Sequence, residues 1–110
     1  MIDTTLQAIA EPRRRDILQL IHRAELSSGE IAMHFDITRP AISQHLQVLA
    51  AAGLVCVRRE GTRRLYRARP EGLADLRAFL DEFWDTRLLQ LKQAAETEQR
   101  EHDDHERAAD

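Results

Sequence analysis

Polar side chains recur at helical spacing between residues 38 and 47, on the side of a predicted helix that faces away from its apolar residues. Taking about 100° per residue, Gln44 and Gln47 point opposite to the apolar series Ile42, Leu46 and Leu49. The amide of glutamine can form two hydrogen bonds with the edge of adenine in the major groove of DNA, and arginine can do so with guanine. We predict that this part of the chain contacts DNA, through Thr38, Arg39, Ser43, Gln44, His45 and Gln47.

Two members of this set have further roles to consider. Ser43 lies on the flank of the polar face, where its hydroxyl can reach either a base or a phosphate. His45 points nearer to the apolar residues, so we expect it first to pack and form hydrogen bonds, and only second to contact a base.

A second group of candidate residues is basic. Between residues 39 and 69 the sequence has seven arginines and one acidic residue, Glu60. Arginine suits bidentate contacts with phosphate or guanine, so this stretch favours a polyanionic partner, although a merely solvated basic surface would have the same composition. The arginines predicted to contact the DNA backbone or its minor groove are Arg58, Arg59, Arg63 and Arg64.

The elements that would position these side chains form a helix-turn-helix. Residues 27–30 have the S-x-x-E form of a capping box, which predicts a helix of about two turns that begins near Ser28. Residues 36–38 read as a turn, and Thr38 can cap a second, longer helix that has Pro40 in its first turn and ends at Gly53. Two helices joined by such a tight turn are typical of the motif.

A hairpin follows the second of these helices. Residues 54–59 and 63–67 read as strands, and residues 60–62 supply a turn in which Gly61 can take a positive φ. A two-stranded hairpin is marginal alone, so it must pack on the helices. Helix-turn-helix and basic hairpin together predict a winged helix-turn-helix, mainly α with a small β-hairpin.

Apolar residues at helical spacing mark both ends of the chain. They predict a short first helix and a long last helix from 71 to about 99, a stretch with no proline. The apolar stripe of the last helix is too long for so small a domain to cover, so dimer packing is favoured over an intramolecular core. The predicted dimer interface consists of Ile2, Leu6, Ile9, Leu76, Leu80, Phe83, Trp84 and Leu88.

Three consecutive arginines, residues 13–15, fall in the first turn of a second helix that is predicted to start at Pro12. Positive charge at that end of a helix opposes the helix dipole, so the cluster costs some stability. An anionic partner would be one reason for it, and simple solvation is the other interpretation.

Length and composition exclude several classes of protein. The 110 residues are 43% apolar, which suits one compact domain, expected at 1–99 and followed by a polar, disordered tail at 100–110. The longest apolar run, residues 48–57, is too short to span a membrane, and no secretory signal is seen, so we expect no membrane insertion. Cys56 is the one cysteine, which fits a reducing cytoplasm.

Motifs of catalysis are missing from the sequence. It has no glycine-rich phosphate loop, no G-x-S-x-G and no cluster of metal ligands in its predicted folded part, and its five histidines are dispersed. We therefore predict that the protein is not an enzyme and carries no cofactor.

Three segments together resemble the ArsR-type winged-helix transcriptional repressors. They are residues 6–21, 26–67 and 71–88, and the resemblance extends over about residues 4–92. Its most distinctive part is Thr-Arg-Pro-Ala-Ile-Ser-Gln-His-Leu at 38–46, followed by Ala-Gly-Leu-Val at 52–55 and the arginine-rich hairpin. The resemblance implies a cytoplasmic homodimer, built through the first and last helices, that binds an inverted repeat near promoters and represses. It also implies DNA contacts at Arg39, Ser43 and Gln44.

The sequence departs from this family's sensing sites. Metal-sensing members have cysteines in an E-L-C-x-C-D/E pattern, whereas residues 25–30 here read Glu-Leu-Ser-Ser-Gly-Glu. Another class pairs an Asp-x-His with a His-x-x-His/Glu on the last helix; His102 and His105 have the second spacing, but leucines stand where the first pair belongs. Because both metal-ligand patterns are incomplete, we predict no metal site. Oxidant-sensing members use two cysteines, so we expect the single Cys56 to be a packing residue.

The sequence thus predicts a sequence-specific, DNA-binding transcriptional regulator: a homodimeric repressor or autorepressor with its recognition helix at 39–52 and its wing at 55–68. One alternative is a winged-helix adaptor that docks a protein through the apolar stripe and binds no specific DNA. Another is a metal-responsive or redox-responsive variant. An effector or protein partner of unknown kind fits each of these interpretations.

Overall fold

The computed structural model describes the backbone of residues 2–109 and the side chains of residues 2–100. Most of these residues are helical, and a small antiparallel sheet completes the fold, as predicted. The elements in chain order are α1 (Ile2–Ala10), α2 (Pro12–Arg23), β1 (Leu26–Ser27), α3 (Ser28–Ala32), α4 (Arg39–Ala51), β2 (Val55–Glu60), β3 (Arg63–Ala68), a 3-10 helix (Pro70–Leu73) and α5 (Ala74–Ala109).

The helix-turn-helix prediction is confirmed, together with its capping residues. Ser27 caps α3, since its hydroxyl accepts a hydrogen bond from the backbone N–H of Glu30 at 3.2 Å, and the Glu30 carboxylate accepts one from the N–H of Ser27 at 3.1 Å. Thr38 caps α4 by accepting from the N–H of Ala41 at 3.3 Å. Helix α4 then ends at a turn in which Gly53 has a φ of +75°.

The hairpin is also confirmed, but it belongs to a three-stranded sheet in the order β1-β3-β2. Its turn is tighter than predicted, because Glu60 continues β2 and Gly61, with a φ of +64°, takes the left-handed position. The third strand was not predicted from the sequence. It is only two residues long, Leu26 and Ser27, which is too short to produce an alternating pattern.

The hydrophobic core fixes which face of α4 points outward. Ile42, Leu46 and Leu49 are at most 1% exposed, and they pack against residues of α1, α2, α3 and the start of β2. Burying each of these side chains contributes about 1.5–3 kcal/mol, so rotating α4 about its axis would be costly. The other members of the buried cluster are Ala8, Ile17, Ile21, Ile31, Leu54 and Val55.

The arginines at 13–15 have a structural role that neither sequence interpretation included. The side chain of Arg14 donates to the carbonyl of Ala8 at 2.6 Å, and that of Arg15 donates to the carbonyl of Ile9 at 2.7 Å. Both therefore cap the C-terminal end of α1, where cations are favourable for the helix dipole. Within α2 itself, the Glu11 carboxylate accepts from the N–H of Arg13 at 3.0 Å and caps the first turn.

Tertiary contacts divide the chain into two units, residues 1–76 and 77–110. The second unit is the larger part of α5, which starts at Ala74 rather than 71, because the 3-10 helix precedes it. The helix continues to Ala109, beyond its predicted end near 99, since residues 99–109 contain neither proline nor glycine. The predicted division into a domain at 1–99 and a tail at 100–110 stays a prediction, and the His102 and His105 side chains lie outside the described residues.

Candidate nucleic-acid interface

Helix α4 presents its polar face to solvent. Thr38, Arg39, Gln44 and Gln47 are exposed, and Ser43 is half-buried on the flank. The hydroxyl oxygen of Thr38 already accepts the capping hydrogen bond. The structure thus leaves the glutamine amides and the Arg39 guanidinium accessible to a partner, as their spacing indicated.

Arg39 packs across helix α3 at a residue that sequence reasoning missed. A Cβ atom placed on Gly29 would lie 3.1 Å from the Nη2 atom of Arg39, so the guanidinium rests directly against the glycine. Glycine therefore gives Arg39 space at the point where the two helices of the motif meet. Ser27 and Gly29 stand where metal-sensing members of the family have cysteines, and nothing in the sequence indicated the contact of Gly29 with Arg39.

His45 is the member of the predicted set that the fold turns away from the exposed face. It is half-buried, and its Nδ1 atom lies 3.5 Å from Nη1 of Arg14 on α2. Burial lowers the pKa of His45, and the nearby charge of Arg14 lowers it further. Both effects disfavour the protonated imidazole, and its position against Arg14 favours the packing and hydrogen-bonding role over a contact with a base.

The hairpin brings two of its arginines next to α4. Arg59 and Arg64 are Cα partners across β2 and β3, as are Val57 and Tyr66, so these four side chains share one face of the hairpin. A groove of about 410 Å³ lies between this face and α4, and Gln47 lines its helix side. We call this the wing groove; its lining residues are Leu46, Gln47, Ala50, Val57, Arg59, Arg64 and Tyr66.

The other two predicted wing arginines lie on the opposite face and are paired with acids. The Nε atom of Arg58 donates to both carboxylate oxygens of Glu25, at 3.0 and 3.2 Å, and Nη2 of Arg58 lies 3.1 Å from Glu60. Arg63 forms a hydrogen-bonded ion pair with Glu30. These pairs connect the hairpin to the segment that precedes and begins α3.

Glu25 and Glu30 were not recognised from the sequence as residues of the wing. Hydrogen bonding from Arg58 lowers the pKa of Glu25. Glu30 has a lowered pKa chiefly because it accepts a hydrogen bond from the backbone of Ser27, and the charge of Arg63 lowers it further. The capping box already explains the presence of Glu30, so the neighbouring sequence did not indicate that Glu30 also pairs with Arg63, 33 residues later.

The positions that sense metals or oxidants in ArsR-type repressors lie only partly within the described residues. Among the side chains of residues 2–100, no group of three His, Cys, Asp or Glu residues could hold a metal ion. Cys56 is a half-buried free thiol, opposite Arg67 in the sheet register. No helix within the described part of the chain is long and apolar enough to cross a bilayer.

The residues predicted for a dimer interface differ in exposure. Leu6 on α1 is 44% exposed, and on α5 Phe83 is 66% and Trp84 is 59% exposed. Leu80 and Leu88 are exposed as well, whereas Ile2, Ile9 and Leu76 are half-buried, and Ile9 packs against the core. Apolar side chains of this size left in water along α5 are typical of an interaction surface.

Comparison with known proteins gives the family. Residues 11–57 match the model of the family described as "Bacterial regulatory protein, arsR family". The chain is 45% identical over 96 residues to the HTH-type transcriptional regulator Rv2034 of Mycobacterium tuberculosis, covering 87% of this chain and 90% of that one. It is also 38% identical over 60 residues to the transcriptional repressor SdpR of Bacillus subtilis, covering 54% of this chain and 67% of the relative.

A solved structure agrees with these sequence matches. It is the solution structure of a homodimeric winged helix-turn-helix DNA-binding domain, Mb0332 of Mycobacterium bovis, which superimposes with a TM-score of 0.62 at 36% identity. The match covers 76% of this chain and 78% of that one. With its exposed polar recognition helix and basic wing, the chain therefore belongs to the ArsR family and is a winged helix-turn-helix transcriptional regulator.

Proposed function

We propose that the protein is a homodimeric repressor that binds an inverted-repeat operator in the cytoplasm. The observation that carries this proposal is the wing groove, in which a glutamine of the exposed face of α4 lies beside two arginines of the hairpin. A donor and acceptor amide next to two cations is the combination needed to read a base edge and bind the adjacent phosphates together.

The recognition helix supplies the sequence-reading contacts. Gln44 and Gln47 are exposed amides, each able to pair with adenine, and Arg39 can pair with guanine. Ser43, on the flank, donates to a base or a phosphate. Thr38 approaches the DNA backbone at the start of the helix, and His45 supports α4 from behind through Arg14.

The wing supplies contacts that depend little on sequence. Arg59 and Arg64 face the groove, and no acid is paired with either of them among the described side chains. Arg58 and Arg63 are held by Glu25 and Glu30, so we assign them the role of fixing the wing in place. The unpaired charges of Arg59 and Arg64 keep the local potential positive, which speeds the encounter with DNA.

Dimerisation would place two recognition helices on one DNA face. The predicted interface consists of residues of α1 and of α5, and its exposed apolar members are Leu6, Leu80, Phe83, Trp84 and Leu88. The likeness to Mb0332, a homodimeric domain, supports a dimeric assembly. A two-fold dimer binds half-sites that are about 10–10.5 base pairs apart, so the operator is an inverted repeat.

Repression follows if the operator overlaps a promoter, because a bound dimer then excludes the polymerase. SdpR, a repressor by name, is similar to the chain over 60 residues. An effector or a protein partner would regulate repression by changing the affinity of the dimer for the operator.

The test is binding of the purified chain to its own upstream DNA at several salt concentrations. Specific binding predicts that log K falls with log salt at about −0.9 per phosphate contacted, and that the upstream fragment competes at least a hundredfold better than random DNA. A protein–protein adaptor would bind neither fragment better than the other, and that result would refute the proposal.

A further inference from the structure

A cavity of about 240 Å³ lies within residues 1–76, where β3 ends and the 3-10 helix begins. Four parts of the fold surround it: α2, the turn after α4, the end of β3 and the 3-10 helix. We call it the wing-base cavity; its lining residues are Leu18, Gln19, His22, Leu54, Ala68, Arg69, Pro70 and Leu73.

The wing-base cavity has mainly apolar walls, and its volume suits a small ligand. Leu54 is 1% exposed and belongs to the core, whereas Leu18, Ala68 and Leu73 pack on the core and are only half-buried. An apolar cavity of about 150 Å³ is enough to bind benzene, and pockets that bind drug-sized ligands have volumes of roughly 300–1,000 Å³. The space therefore fits one aromatic ring or a short alkyl chain with a head group.

The polar groups at the cavity are basic or neutral. Arg69 is fixed there, since its backbone N–H donates to the carbonyl of Leu54 at 2.8 Å and its Nη1 donates to the carbonyl of Gly53 at 3.1 Å. The remaining N–H groups of this guanidinium have no carboxylate partner among the side chains of residues 2–100. Gln19 and His22 add further donors, and none of the lining residues is acidic.

From this arrangement we infer that the wing-base cavity binds a small monocarboxylate with an aromatic or short aliphatic tail. The tail packs against Leu18, Leu54 and Leu73, and the carboxylate accepts hydrogen bonds from the guanidinium of Arg69. Such charge-assisted bonds to arginine favour a carboxylate over an uncharged molecule of the same shape.

The position of the cavity couples such a ligand to DNA binding, and this part of the inference rests on the proposed function. A Cβ atom on Gly72 would lie 2.1 Å from the carbonyl oxygen of Gly53, so the 3-10 helix packs tightly on the end of the recognition helix. Ala68 and Arg69 continue directly from the wing. A ligand that displaces Leu73 or Arg69 changes the placement of α4 relative to the wing and so changes the affinity for the operator. Because the coupling is reciprocal, operator DNA must change the affinity for the ligand by the same factor.

The first experiment measures binding without DNA, so its result does not depend on the proposed function. The probes are benzoate and hexanoate, with benzyl alcohol and 1-hexanol as uncharged counterparts, titrated into the full chain with labelled leucine methyl groups. We expect the methyl signals of Leu18, Leu54 and Leu73 to shift with the carboxylates. Binding of the carboxylates should be at least tenfold tighter than that of the alcohols.

Two variants and a matched control locate the site. Arg69→Gln should weaken benzoate binding at least tenfold and change benzyl alcohol binding by less than twofold. Ala68→Leu should abolish binding of both, because its side chain fills the cavity. Arg67→Gln, a neighbouring exposed arginine outside the cavity, should leave both affinities unchanged. Circular dichroism verifies that each variant is folded.

Several results would overturn the inference. They are the absence of binding at 10 mM probe, shifts confined to other leucines, equal affinity for acid and alcohol, or contacts from a second copy of the chain that already fill the cavity. In a second experiment, saturating benzoate should change the operator affinity of the unmodified chain at least threefold and that of Arg69→Gln by less. Binding of benzoate with unchanged operator affinity would refute the coupling but leave the repressor proposal standing.

Discussion

Gln44 and Arg59 represent two kinds of contact, and single substitutions can separate them. Gln44 is an exposed amide on the recognition helix, where the proposed bond is to a base. Arg59 is a cation in the wing groove, where the proposed bond is to the DNA backbone. The first kind of contact depends on sequence and the second depends on salt.

Gln44→Ala should cost about 1–3 kcal/mol of binding free energy on the operator and much less on random DNA, because only the base contact is lost. Competition gel shifts on the two DNAs measure the difference. Gln7→Ala, an exposed glutamine of α1, is the matched control and should leave both affinities unchanged. Equal losses on the two DNAs would contradict the reading role of Gln44.

Arg59→Ala and Arg58→Ala form a second comparison, since the two residues are adjacent in β2 but face opposite sides of the hairpin. Removing Arg59 should make the slope of log K against log salt shallower by about 0.9, the contribution of one phosphate contact. Removing Arg58 should leave that slope unchanged, because its guanidinium is already paired with the carboxylate of Glu25. If both variants change the slope equally, the division of the wing arginines is wrong.

His45 makes stability depend on pH. Its pKa is lowered in the folded protein, so below the ordinary pKa of histidine, about 6.5, the unfolded chain binds the proton more readily. The contribution of His45 to stability is therefore present at pH 7.5 and is lost as the pH falls below about 6.5. Urea unfolding at a series of pH values should show a smaller loss for His45→Gln than for the unmodified chain; an identical pH dependence would disprove this assignment.

At the scale of elements, the capping box does more than begin α3. Ser27 holds Glu30 through reciprocal hydrogen bonds, and Glu30 in turn holds Arg63 of the wing. Ser27→Ala should lower the free energy of unfolding by about 1 kcal/mol, within the 0.5–2 kcal/mol typical of capping residues. Ser28→Ala, its neighbour, should change it by less than about 0.5 kcal/mol. Chemical denaturation of the two variants tests this, and equal effects would contradict the capping role.

Elements with a local signal could be predicted from the sequence, and those that depend on distant partners could not. Ser27, Thr38, Gly53 and Gly61 each determine a cap or a turn within a few residues, so α3, α4 and the hairpin were found. Strand β1 exists only because it pairs with β3, nearly forty residues later. The acids that hold the wing were missed for the same reason.

The part of the candidate site that lies on α4 was predictable, because the helical period alone determines which side chains face outward. A period of 3.6 residues places Gln44 and Gln47 opposite to the core side chains, and the structure agrees. Four wing arginines look equivalent in the sequence, however. Only the sheet register and the positions of Glu25 and Glu30 distinguish the two that face the groove from the two that are paired.

At the scale of the whole molecule, the proposed function links DNA binding to dimerisation, because each subunit of the proposed dimer would contact only one half-site. Trp84→Ala removes a large apolar side chain that is 59% exposed in the chain alone. We expect it to weaken the dimer at least tenfold and to weaken operator binding with it, as measured by analytical ultracentrifugation and gel shift. Gln90→Ala is the exposed control on α5. An intact dimer in the Trp84 variant would reject the proposed interface.

Selection of bound sequences from a random DNA pool tests the central claim most directly, because it reports base reading and symmetry together. The account predicts an inverted repeat with half-site centres about 10–10.5 base pairs apart, and loss of preference at one position of each half-site in Gln44→Ala. Recovery of no common sequence, or of a motif without two-fold symmetry, would contradict it.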